Sequence, residues 1–342
     1  MTDIQNVKTY IGGGKKHASI SAIRFIAMCS IIACHFCQYY GSEWAWWLNV
    51  GVQVFFIISG FLYGTKAIEE PIGWLKKQFK KILIPYYIFL IFAVVGYILV
   101  APDKIGVKNI VAAVFTVGQI KGIGHLWFVS NILFCYLITP YLAALRDYLL
   151  QKNLFRTILV ATLILGVYSL IGIITNDYFR PGRINCYILG YFTATLCERY
   201  GHKKILWCFW LSLIPCTLSN VEYCYLHYTK GLAMDGMLAH ITDFSHMFLG
   251  YSLSMLMMIL LRNIKQSKVL QFSDKYSYEI YLVHQLFILS PLTLLVITDK
   301  NVLNIGITTV VILATGILLK KMNISLHAKF LMKSACMSET KR

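Results

Sequence analysis

Ten apolar runs, most about as long as a membrane-spanning helix, follow one another along the chain, at 20–40, 44–64, 82–100, 124–145, 157–174, 183–198, 204–219, 241–261, 277–298 and 302–320. Within a bilayer, only a helix or a closed barrel satisfies its own backbone groups. Runs of this kind predict an all-α integral membrane protein with about ten transmembrane helices. Composition agrees, since 58% of the 342 residues are hydrophobic and 14% are charged, unlike an ordinary soluble domain.

A formal net charge of +17 is large enough to raise nucleic acid as a partner. Its distribution argues against that. With the ten runs drawn as spans, 25 of the 32 Lys and Arg fall on one side and 7 on the other. The richer side includes Lys66, Lys76, Lys77, Lys80 and Lys81; the poorer includes Lys104, Lys121, Arg180, Arg183 and Lys230. This is the positive-inside bias, and it places both termini in the cytoplasm. The N-terminus has no short apolar core followed by a small-residue cleavage site, so no cleaved signal peptide is expected. The chain reads as a single membrane-embedded domain over 1–342, with short cytoplasmic tails at 1–19 and 322–342. Its ten cysteines show no paired spacing, so neither disulfides nor a metal site are expected.

The first span, Ile20 to Tyr40, carries two groups that hydrocarbon disfavours, Arg24 and His35. Eleven helical steps bring them within ~20° of one face, with His35 roughly 16 Å further along the axis. An ionisable residue inside a bilayer points to function by default. The competing reading has Arg24 snorkelling to the interface and His35 hydrogen-bonding a neighbouring helix. The second span, Gly51 to Gly64, is rich in small residues that let helices approach. Before the third span lies Leu75 to Tyr87, whose lysines either anchor lipid headgroups or hold a phosphorylated cytoplasmic ligand.

Asn109 to Val117 is too short to span, so it is either re-entrant or lies along the surface. His125 and Trp127 open the fourth span, where a Trp–His pair is either interfacial belt or a sugar contact. Ser219 to Ile241 reads as the longest outer connection, and the ninth span carries Glu279 and His284.

Taken together, Arg24-x10-His35, G-V-x-x-F-F-x-x-S-G-F-L (Gly51 to Leu62), the basic segment ending at Pro85, H-L-W-F at 125–128 and S-Y-x-x-Y-L-x-H (Ser277 to His284) resemble bacterial acyltransferase family 3. The order and spacing of these motifs carry the resemblance over spans one to four and nine. Spans five to eight match in hydropathy. One departure stands out, lysines where the family commonly has arginines before the third span; a fused extracytoplasmic esterase-like domain, which some members carry, is not expected here.

The resemblance implies a multi-pass enzyme of the bacterial cytoplasmic membrane. It would use acyl-CoA, usually acetyl-CoA, as co-substrate, with no permanently bound cofactor, and acylate a glycan or lipid-linked glycan such as capsule, O-antigen or exopolysaccharide. Under that reading His35 is the general base or a transient acyl carrier. Arg24, Lys77, Lys80 and Lys81 hold the CoA phosphates, and Ser59 also lies on the donor side. Trp127, His125, Arg180, Arg183 and His284 are the acceptor-side residues. Ser59, Asn131 and Trp127 are the candidate oxyanion donors. The alternative is a glycan exporter or flippase, or a non-catalytic component of polysaccharide assembly. Against it, the central spans are poor in Asp and Glu, and no inverted halves are evident.

Overall fold

The structure is a computed structural model and describes residues 18–118, 120–151, 154–175, 181–201, 203–232 and 236–339. The α-helices among these residues are α1 (Ala18–Tyr39), α2 (Trp44–Leu48), α3 (Gly51–Tyr63), α4 (Pro71–Val100), α5 (Val107–Val114) and α6 (Trp127–Leu150). They continue as α7 (Leu154–Thr175), α8 (Pro181–Tyr200), α9 (Lys203–Cys224), α10 (Gly236–Leu260), α11 (Lys268–Ile288) and α12 (Asn301–Glu339). Among the described residues, seven helical stretches are long and apolar enough to cross a membrane: Ala18–Tyr39, Trp44–Tyr63, Pro71–Val100, Gly124–Leu149, Lys203–Thr229, Leu238–Leu260 and Asn301–Leu326. The protein is thus an all-α, multi-pass membrane protein.

Of the three other expected spans, 157–174 and 183–198 are helical and 277–298 is helical as far as Ile288. In α7 the apolar stretch is the shorter Arg156–Ile171. Polar side chains interrupt the other two, Asn185, Thr193, Thr195 and Glu198 in α8 and Glu279, His284 and Gln285 in α11.

The chain forms two compact units. The first comprises Met1–Cys34, Glu43–Pro71 and Phe134–Asp274, the second His35–Ser42, Ile72–Leu133 and Lys275–Arg342. In the first unit α3 crosses α8 through glycines. A Cβ on Gly60 would run into the Tyr187 carbonyl, and one on Gly190 into the Ile57 carbonyl. Backbones can approach this closely only where side chains are missing. Hydroxyl pairs join other helices of this unit: Thr139 of α6 to Tyr187 of α8 at 2.6 Å, Thr193 of α8 to Tyr251 of α10 at 2.6 Å and Ser212 of α9 to Ser252 of α10 at 2.8 Å. Such interhelical bonds contribute about 0.6 kcal/mol each on average in a bilayer. Arg146 donates to the Gly64 and Lys66 carbonyls at 3.2 and 3.0 Å, satisfying acceptors at and just beyond the C-terminus of α3.

Helix α4, which belongs to the second unit from Ile72 onward, starts on Pro71, where a missing N–H costs nothing, and runs on through Pro85. Pro85 cannot donate within its helix. On the turn before it, the Ile82 carbonyl accepts the Tyr278 hydroxyl at 3.0 Å. The stretch read as re-entrant or superficial overlaps α5, held by Tyr86 to the Ala113 carbonyl at 2.6 Å and Tyr87 to that of Val114 at 3.0 Å.

Three boundaries differ from the sequence reading. The run at 277–298 is not one helix: α11 begins at Lys268 and ends at Ile288. Beyond it Ser290 Oγ takes over the turn, accepting the Leu292 N–H at 2.9 Å, and Pro291 cannot continue the ladder. The loop to α12 is organised by one amide. Asn304 donates to the Leu295 and Thr298 carbonyls at 2.8 and 2.7 Å and accepts the Thr298 N–H and hydroxyl at 3.0 and 2.8 Å. Much of Ser219 to Ile241 is helical, because α9 continues to Cys224 and passes into a π-helical turn at Tyr225–Thr229. Finally, the helix that contains the run at 302–320 continues to Glu339, beyond the expected end of that span.

Candidate functional site

Helix α1 ends one turn beyond His35. Gly41 adopts a left-handed φ of 67°, and the Ser42 N–H reaches back to the Cys37 carbonyl at 2.8 Å. This is the six-to-one bond of a Schellman cap, and it fixes the last turn of the helix. His35 therefore leaves a rigid helix end with only 9% of its surface exposed.

His125 lies on the 3-10 turn Gly124–Leu126. The turn is reached through Gly122, whose φ is 92°, and a Cβ there would sit 2.7 Å from Ser290 Cα. Only glycine combines that backbone with that proximity. His125 faces α11 through three hydrogen bonds and one close approach. Its N–H donates to Gln285 Oε1 at 2.8 Å, Nδ1 lies 2.7 Å from the same oxygen, Nε2 donates to the Leu282 carbonyl at 3.0 Å, and its carbonyl accepts the Tyr281 hydroxyl at 2.7 Å.

His284, fully buried on α11, completes the group. Its ring centroid is 4.9 Å from that of His35 and 4.8 Å from that of His125. Nδ1 donates to the Tyr281 carbonyl at 2.5 Å, while Nε2 is buried and has no hydrogen-bond partner among the described residues. His35 Nδ1 has two amide neighbours, Gln38 Oε1 at 2.6 Å and Gln285 Nε2 at 3.5 Å. Three imidazoles far apart in sequence thus form one buried cluster in the second unit. Among the described residues, no group of three or more His, Cys, Asp or Glu is placed to hold a metal ion.

The other sequence-predicted residues fall outside this cluster. Lys77, Lys80 and Lys81 belong to the same unit and form an exposed row on α4, at the three- and four-residue spacing that puts side chains on one helix face. Trp127 is half-buried at the start of α6. Asn131 donates its amide N–H to the Trp127 carbonyl at 2.9 Å, and what it leaves unpartnered is the acceptor Oδ1. An acceptor does not stabilise an oxyanion, so Asn131 suits that role poorly.

Arg24, Ser59 and Arg183 lie in the first unit, all half-buried. Arg24 is within electrostatic reach of Tyr63 and Tyr136. Arg180 lies outside the described residues. The sequence reading missed Gln38 and Gln285. Gln38 was accessible in principle, because it follows His35 by three residues, the spacing of same-face neighbours. Nothing in the sequence ties Gln285 to His125.

Three comparisons with known proteins bear on this arrangement. A family model described as an acyltransferase domain matches residues 17–321. The chain is 26% identical over 219 residues to the O-acetyltransferase OatA of Staphylococcus aureus strains NCTC 8325, COL and MRSA252. That alignment covers 54% of this chain and 35% of the relatives, so the chain spans about a third of their length. No solved structure matches the chain. The family match runs from the start of α1 well into α12 and includes all three clustered histidines: the chain belongs to acyltransferase family 3.

Proposed function

We propose that this protein is an O-acyltransferase of the bacterial plasma membrane that moves an acetyl group from cytoplasmic acetyl-CoA to a hydroxyl of an extracytoplasmic glycan. The observation that carries the reading is the position of His35. It is a buried imidazole at a rigid helix end, packed against a second imidazole whose Nε2 has no partner among the described residues, in a chain of this family. The relatives are named O-acetyltransferases, which is the reason for choosing acetyl.

In the proposed step the acceptor hydroxyl gives its proton to His35 as its oxygen attacks the thioester carbonyl carbon. The tetrahedral intermediate collapses with cleavage of the C–S bond. The departing thiolate takes the proton back from His35, leaving an ester and free CoA thiol. Imidazole suits both halves, because its ordinary pKa of about 6.5 lets it accept and return a proton near neutral pH. The row of Lys77, Lys80 and Lys81 provides positive charge for the CoA phosphates. Arg24 is assigned to the donor on its sequence motif, as is Ser59. Trp127, Arg183 and His284 are assigned to the acceptor side.

The test is mass spectrometry of the host's surface glycans in wild type, a deletion strain, and the deletion complemented with His35→Ala. A mass increment of one acetyl group that is present in wild type and missing from both other strains supports the reading. Glycan that disappears in the deletion and returns in full with His35→Ala overturns it and points to export.

A further inference from the structure

We propose that Gln38 is a positioning residue for His35, one that decides which ring nitrogen takes the acceptor's proton. The proposal rests on the reading of His35 as general base. Gln38 Oε1 lies 2.6 Å from His35 Nδ1. A carbonyl oxygen can only accept, so Nδ1 carries the hydrogen and the basic lone pair sits on Nε2.

The rival partner is Gln285. Its oxygen is engaged by the His125 N–H at 2.8 Å, which turns its amide nitrogen toward the same Nδ1, but at 3.5 Å. Side-chain hydrogen bonds weaken steeply beyond about 3.2 Å. The shorter contact prevails, and Gln38 sets the tautomer.

The backbone supports this role. Gln38 lies three residues after His35 on the same helix face, within the last turn held by the Gly41 cap, so no loop has to order for the contact to form. The chemistry supports it as well. When His35 accepts a proton both ring nitrogens carry N–H, and the Nδ1 bond to Gln38 becomes charge-assisted and stronger. An interaction that strengthens as charge develops lowers the barrier to reaction. An amide is also neutral, so it orients the ring without the pull toward permanent protonation that a carboxylate at this distance would exert. Gln38 is exposed, so its replacement leaves the packed interior untouched.

The experiment follows thiol release from acetyl-CoA by membrane vesicles that contain the full chain and the host's own glycan acceptor, between pH 5.5 and 9. Protein amount is measured in each preparation. Gln38→Leu is expected to lower kcat by about ten- to a hundredfold with KM for acetyl-CoA unchanged. Gln38→Glu is expected to retain activity at alkaline pH and to move the acid limb of the profile upward, because a carboxylate at Nδ1 stabilises the imidazolium.

A purely structural role for Gln38 would not move that limb. Wild-type rates and limbs in both variants, beside an inactive His35→Ala, would overturn the role of Gln38 and leave the base assignment standing. An active His35→Ala would overturn both.

Discussion

His125 and His284 lie 4.8 Å apart, ring to ring, yet they are bonded in opposite ways. His125 directs both ring nitrogens at α11, whereas His284 leaves Nε2 without a partner among the described residues. The two histidines should therefore fail differently. His125→Ala removes buried hydrogen bonds at about 1–3 kcal/mol each and should lower the unfolding temperature in detergent and the amount of protein in the membrane. His284→Ala removes one such bond, so it should lower the amount less than His125→Ala does, and it should lower acetyl transfer per molecule by about tenfold or more, a loss of ~1.4 kcal/mol or more in transition-state stabilisation. Normal abundance with normal activity in His284→Ala would remove that residue from the site.

Glycines set the crossing of α3 and α8, and this is a stability prediction independent of chemistry. Gly60→Ala and Gly190→Ala each place a methyl group against a carbonyl of the opposite helix. Overpacking of this kind typically costs about 1–3 kcal/mol. Thermal unfolding followed by tryptophan fluorescence should show both variants destabilised. Gly166→Ala, with open space around its Cβ position, is the control and should be neutral or slightly stabilising.

The lysine row tests donor binding. Replacing Lys77, Lys80 and Lys81 together with alanine should raise KM for acetyl-CoA by roughly tenfold and leave kcat nearly unchanged, the signature of interactions equal in ground and transition states. In the wild type that KM should also rise with salt, because exposed charges are screened. A changed kcat with an unchanged KM would place these lysines elsewhere than on the donor.

Within the second unit, Lys320 of α12 meets Glu279 of α11 at 2.9 Å, with the carboxylate side chain 2% exposed and the ammonium side chain 27% exposed. Lys320→Met strands a buried carboxylate and should cost about 3 kcal/mol, at the low end for a broken buried pair because the lysine is partly solvated. Lys320→Met with Glu279→Gln should recover most of that loss. Additive losses in the double variant would show that the pair is not coupled.

Much of the helical architecture was legible because burial in lipid forces long apolar runs, and Arg24 and His35 stood out as exceptions within one. The boundaries that moved were those set by side chains. Hydropathy carried the run at 277–298 across a break that Ser290 and Pro291 make, and polar residues such as His227 hid a helix that continues to Thr229. The histidine cluster was not legible as a cluster. Each member was visible, but their proximity depends on a left-handed glycine at 122 and an amide at 285, and a single sequence does not report contacts across 160 residues.

The loop closed by Asn304 also bears on how the protein is assembled. Helix α11 carries a glutamate, a glutamine and a histidine, and its glutamate is neutralised from α12. Alone in lipid it would be a poor guest. Because Asn304 at the start of α12 ties the connection to its own helix by four hydrogen bonds, residues 268 to 320 can close into a hairpin once both helices have been made. On this view α11 enters the bilayer as the passenger of α12, and the order of synthesis at the ribosome, with the polar helix first and its apolar escort second, makes the last helix the step that commits the histidine of α11 to the membrane.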